Sequence, residues 1–197
     1  MPTETQTIDD VIRPLFCEIV TITVPEKYRS VSLKTLQPSE RSRLPMAEQA
    51  KLYDELRANP NAGWAFFAPA GYSKTTCSVA LYKQAIAKNL RTWVPKSAEL
   101  TAYDYRPDPR DSRYGLPIPR IYVWRKSVPD LLQQLFDKMN EGEVHVPKPD
   151  ISVEKIEQGL RAGFRPCAFL EEIDKIKPSE YTINQLFRIF DALLSIA

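Results

Sequence analysis

This chain is poor in the residues that build metal sites and disulfide frameworks. It has three cysteines, Cys17, Cys77 and Cys167, far apart and without a C-x-x-C pair, so they read as thiols of a reducing compartment. One histidine, His145, lies in "EGEVHVPKPD" with no Cys or His companion nearby, so it reads as a surface residue rather than a metal ligand. Glycine is scarce at 6 residues against 17 prolines, so the connections should be stiff rather than flexible. No apolar run reaches membrane-spanning length, and the polar, acidic opening "MPTETQTIDD" is not a signal peptide; a cytoplasmic chain without membrane contact is expected. A net charge of +2 leaves nucleic-acid contact to local basic patches.

What is present is ordinary soluble material: 197 residues, 43% hydrophobic and 26% charged, enough for one well-buried domain with an appendage. Residues 1–62 read as an N-terminal extension and linker helix. In it "VIRPLFCEIVTITVP" is β-branched and interrupted by Pro14, and "MAEQAKLYDEL" (46–56) favours helix. Residues 63–197 read as strands alternating with helices. "WAFFA" (64–68) is a strand after the turn "NPNAG", a helix runs from Lys74 to about Leu90, and "IYVW" (121–124) is a second strand. Ser127 caps a helix whose Val128, Leu131, Leu132, Leu135, Phe136 and Met139 form one stripe. A helix around 152–162 leads into the strand of "CAFLEEID", and Pro178 and Ser179 open a last helix carrying Ile183, Leu186, Phe187, Phe190, Leu193 and Leu194. This alternation predicts an α/β fold with a mostly parallel sheet.

"APAGYSKTT" (68–76) follows the phosphate-loop pattern G-x-x-x-x-G-K-[ST], with Gly71, Lys74 and Thr75 in place and Ala68 and Ser73 where glycines stand. Amides at a helix N-terminus face anions, a lysine there reaches outer phosphates, and the next hydroxyl can ligate Mg²⁺. Each extra Cβ crowds an incoming phosphate or resists positive φ. Downstream, Cys167–Leu170 followed by Glu171, Glu172 and Asp174 gives the acidic strand end that a nucleotide-hydrolysing site needs.

At "EEIDKIKPSEYTINQLFRIFDALL" the chain resembles the ATPase domain shared by bacterial helicase loaders and transposition helper proteins, the DnaC/IstB-like branch of the AAA+ ATPases. Asp174, Lys175, Lys177, Pro178, Ser179, Glu180, Gln185, Leu186, Phe187, Ile189 and Asp191 carry the likeness, and "VPEKYRSVSLKTL" (24–36) is similar to the family's lead-in. The resemblance implies a three-layer phosphate-loop NTPase sandwich binding ATP and Mg²⁺. Gly71, Tyr72, Ser73, Lys74, Thr75 and Thr76 would hold phosphates, Thr75 and Glu171 would serve Mg²⁺, and Glu172 would polarise the attacking water. The family has aspartate where Glu171 stands. Its strand order is 5-1-4-3-2, and this chain stops on the helix after the third strand, before the sensor strand, arginine finger and lid; "CEIVTITV" (17–24) is a candidate to fill the gap in the sheet. That stop argues against efficient hydrolysis.

Two functions of different class follow. One is an ATP-binding AAA+-like protein acting on a replicative helicase or a transposase, in a homo-oligomer as an open option. The alternative is a degenerate, nucleotide-inactive fold serving as an interaction module. A small-molecule kinase fits less well, because the loop glycines and a lid signature are missing. Arg106, Arg110, Arg113 and Arg120, interleaved with Tyr105 and Tyr114, are candidates for single-stranded DNA, diluted by Asp104, Asp108 and Asp111.

Overall fold

The computed structural model describes residues 8–97, 122–140, 151–175 and 179–194. By its contacts the chain divides into two compact units, 1–121 and 122–197. The described parts are mixed α/β, with one small parallel sheet of two strands.

The first unit is helical. Helix α1 (Ile8–Thr23) takes up most of the stretch that its β-branched content suggested for a strand, and Pro14 lies inside it. The correction has a simple cause. Ile12, Leu15, Ile19 and Val20 are all buried at three- and four-residue spacing, and that face packs against a later helix. A stripe of that period outweighs local β-propensity. Helix α2 (Met46–Ala58) covers the expected segment and two residues more. Helix α3 (Lys74–Ser97) starts at the lysine of the loop and runs past the expected end at Leu90. Its Cys77, Val79, Ile86 and Leu90 are wholly buried, against α1 and α2.

"WAFFA" is not a strand, because nothing among the described residues pairs with it. Its side chains still alternate: Trp64 and Phe66 are half-buried and stack at 6.2 Å, while Phe67 is 84% exposed. Period-two exposure is the side-chain pattern of an extended chain without its ladder.

The connections around these helices are held by cations on main-chain carbonyls. Arg29 donates to Val24 O at 3.1 Å and Thr21 O at 2.8 Å, closing the C-terminus of α1. Arg57 on α2 donates to Leu33 O and Leu36 O. Lys83, buried in α3, donates to Arg29 O at 2.5 Å and Val31 O at 2.6 Å, and burial pushes its pKa down. Pro25, Pro38 and Pro45 bring carbonyls without N–H groups, so these segments need outside donors.

The second unit is a β-α-α-β-α run. Strand β1 (Val123–Ser127) lies two residues downstream of the expected start of "IYVW", and β2 (Cys167–Glu171) pairs parallel to it, Val123 with Cys167 and Ser127 with Glu171. Between them come α4 (Val128–Asn140) and α5 (Val153–Arg161). Ser127 Oγ accepts from Asp130 N at 3.3 Å, the expected cap. Ser152 caps α5 in the same way. Gly163, at φ 74°, ends α5 in a Schellman turn: Phe164 N donates to Gly159 O at 2.9 Å and Gly163 N to Leu160 O at 2.8 Å. Helix α6 (Glu180–Leu194) packs on α5, and Leu131, Ile151, Ile156 and Ile189 form the buried core with Trp124, Ala168 and Leu170 against it.

Candidate functional site: the loop before α3 and the acidic end of β2

The residues read from the sequence fall into two groups, one in each compact unit. Gly71, Tyr72 and Ser73 form the turn before α3, and Lys74, Thr75 and Thr76 are its first turn, all three half-buried. Gly71 has φ 90° and Ser73 has φ 59°. The serine thus takes the left-handed backbone that the pattern assigns to glycine, despite its Cβ. The N–H groups of Lys74, Thr75 and Thr76 lie in the first turn and have no intrahelical acceptor. Cys77 N is the first to find one, Ser73 O at 3.0 Å. Lys74 Nζ donates to Ala68 O and, at 3.1 Å, to Pro69 O, drawing the loop around the ammonium.

Sequence reasoning did not find what surrounds this loop. Arg43 N donates to Gly71 O at 2.9 Å, and Ser42 Oγ reaches the same carbonyl at 3.4 Å. The aliphatic stem of Arg43 lies on Gly71, where an added Cβ would stand 3.1 Å from Arg43 Cδ. Gly71 is therefore favoured by its φ and lies close under that stem, whereas positions 68 and 73 carry a Cβ. Below the turn, the Tyr53 hydroxyl is raised in pKa chiefly by burial, an effect offset in part by the nearby Ser73 hydroxyl. Cys77 is fully buried beside it, and burial pushes its thiol up to about 11, so it is an inert core thiol. No sequence motif joins residues 43 and 53 to the loop; only the tertiary fold does.

In the second unit Glu171 ends β2 and Glu172 follows it at φ 62°, a second non-glycine residue in left-handed backbone. Arg125, two positions before the β1 partner of Glu171, grips that carboxylate. Its Nε and Nη2 lie 3.1 and 2.9 Å from Glu171 Oε1, and Nη2 lies 2.8 Å from Oε2. Both oxygens face one guanidinium, a pairing that competes with the metal role expected of Glu171. Glu172 bonds Lys175 at 2.5 Å, an exposed pair that raises the lysine pKa. Among the described residues no group of three or more His, Cys, Asp or Glu could hold a metal ion. The loop fits a phosphate group, with first-turn amides and Lys74 as donors; the acidic strand end does not fit Mg²⁺ while Arg125 holds it.

Arg106, Arg110, Arg113 and Arg120 lie outside the described residues. Among the described helices none is long and apolar enough to cross a membrane. No family model, no curated protein and no solved structure matches this chain.

Proposed function

We propose that this chain is an ATP-binding, AAA+-like protein that engages the nucleotide through its phosphates at residues 68–76. On the family resemblance it acts on a replicative helicase or a transposase, with the three-layer phosphate-loop sandwich as its architecture. The observation that carries the reading is the backbone of the turn. Gly71 at φ 90° and Ser73 at φ 59° bend the chain directly into a helix whose first residue is Lys74. The first-turn amides and the positive end of the helix dipole remain for an anion. Hydrolysis is weak or absent in this reading, because Glu171 is committed to Arg125.

The test is a titration of fluorescent ATP into the purified chain, with and without Mg²⁺, beside Lys74→Ala. Losing one charge-assisted contact should weaken binding at least about tenfold. Equal affinity of the two proteins would remove the loop from the reading. A folded wild-type chain that binds no nucleotide would favour the interaction module instead. That second reading draws on α6, whose Ile183, Phe187 and Leu194 are 41%, 61% and 69% exposed at spacings of four and seven.

A further inference from the structure

We infer that Gln49 is the positioning residue of the phosphate loop, an inference that rests on the nucleotide reading above. Gln49 sits on α2 with 0% exposure, unusual for a glutamine on a helix that is otherwise largely surface. Both ends of its amide are used. Oε1 accepts from Ser39 N at 3.0 Å and from the Tyr53 hydroxyl at 3.3 Å. Nε2 donates to Ser39 O at 3.1 Å and to Leu44 O at 2.6 Å.

Three of these bonds tie down a six-residue strap, residues 39–44, at its two ends. Between the ends lies Arg43, which donates its N–H to Gly71 O and lays its stem on the Gly71 Cα. On the other side the same Oε1 accepts from the hydroxyl of Tyr53, itself buried on α2. One buried side chain therefore supports Gly71, whose φ is positive, through the strap. It also sets the exposed Arg43 guanidinium beside a loop whose own pattern supplies one cation, Lys74. An apolar residue at 49 would leave the Ser39 and Leu44 carbonyls and the Ser39 amide without this partner, so the strap would loosen before the helices do.

The experiment uses the whole chain as wild type, Gln49→Leu and Arg43→Ala, with two readouts. One is the dissociation constant for the fluorescent ATP analogue. The other is amide hydrogen exchange of residues 39–44 and 71–73 against the core of α3, residues 79–90. Gln49→Leu should bind about tenfold more weakly, as loss of a supporting contact does elsewhere. It should exchange faster in the strap and the turn, with α3 still protected. Arg43→Ala should bind more weakly while folding as wild type. A purely structural glutamine would lower thermal stability and leave affinity and local exchange alone. A folded Gln49→Leu with wild-type affinity and wild-type exchange overturns the inference. If Gln49→Leu does not fold, Arg43→Ala with unchanged affinity overturns it. If wild type binds no nucleotide, the nucleotide reading falls, and exchange alone decides the role of Gln49: faster exchange confined to 39–44 and 71–73 supports it, any other pattern sinks it.

Discussion

Ser73 and Glu172 stand at φ 59° and 62°, a conformation that costs a non-glycine residue about 1 kcal/mol or more. The Glu172 side chain bonds a partner that the fold supplies, Lys175. Gly159 shows the opposite relation of residue to backbone. It lies inside α5, where exchange for alanine ordinarily gains about 1 kcal/mol of helix propensity. Here an added Cβ would meet Tyr122 Cγ and Cδ1 at 2.7 Å and Pro166 Cγ at 3.0 Å. Tyr122 is 5% exposed and locked against Phe164 at 5.1 Å between ring centroids, so the ring has little room to retreat. Overpacking of that kind costs about 1–3 kcal/mol, which outweighs the propensity gain. Gly159→Ala should therefore be less stable than wild type in urea unfolding. A more stable variant would mean that Tyr122 moves aside freely and that the packing argument is wrong.

Among the elements, α4 and α6 are legible because their apolar residues repeat at helical spacing, with Ser127 as the cap of α4, and α2 because its residues favour helix. Helix α1 was misread because Ile19, Val20, Thr21, Ile22 and Thr23 together suggest a strand, although their burial follows a helix. "WAFFA" was misread for the converse reason, since a strand needs a partner that no local sequence contains. The same limit hid the Arg125–Glu171 pair: the parallel register brings together residues far apart in the chain, and "YVWRKS" alone shows only a basic end to an apolar run. The two side chains are 14% and 29% exposed, so the pair is mostly shielded and joins β1 to β2. A double-mutant cycle with Arg125→Met and Glu171→Gln should give a coupling of about 1–3 kcal/mol in urea unfolding. Additive single effects would show that the guanidinium and carboxylate do not support each other.

At the scale of the whole chain, low glycine and high proline leave carbonyls in excess of local donors, and Arg29, Arg57, Lys74 and Lys83 supply them in the first unit. This explains how a chain of nearly balanced charge spends part of its basic residues inside its own fold. Alkaline pH is the sensitive direction for a different reason, the buried acidic groups of the same unit. Cys77 has its pKa raised by burial from 9.0 to about 11, so between those values the folded protein keeps a proton that the unfolded chain releases. Stability then falls as pH rises: the contribution of Cys77 is complete below pH 9.0 and gone above about 11. Tyr53, raised from 10.0 chiefly by burial, acts in the same sense at higher pH. Lys83 acts in the opposite sense. Burial lowers its pKa from 10.5, so in the unfolded chain it holds its proton longer and stability rises with pH through that interval. Cys77 begins to lose its contribution first, and it has no counterpart in Cys77→Ala. Following urea unfolding from pH 9.0 to about 11 should show wild type losing stability more steeply than Cys77→Ala, by up to about tenfold in the folding constant per pH unit. The alanine variant should start lower, because it loses packing beneath the loop, and the two profiles should converge as the pH rises. Parallel profiles would mean that the thiol ionises as easily folded as unfolded, and that the space between α3 and Tyr53 is open to water.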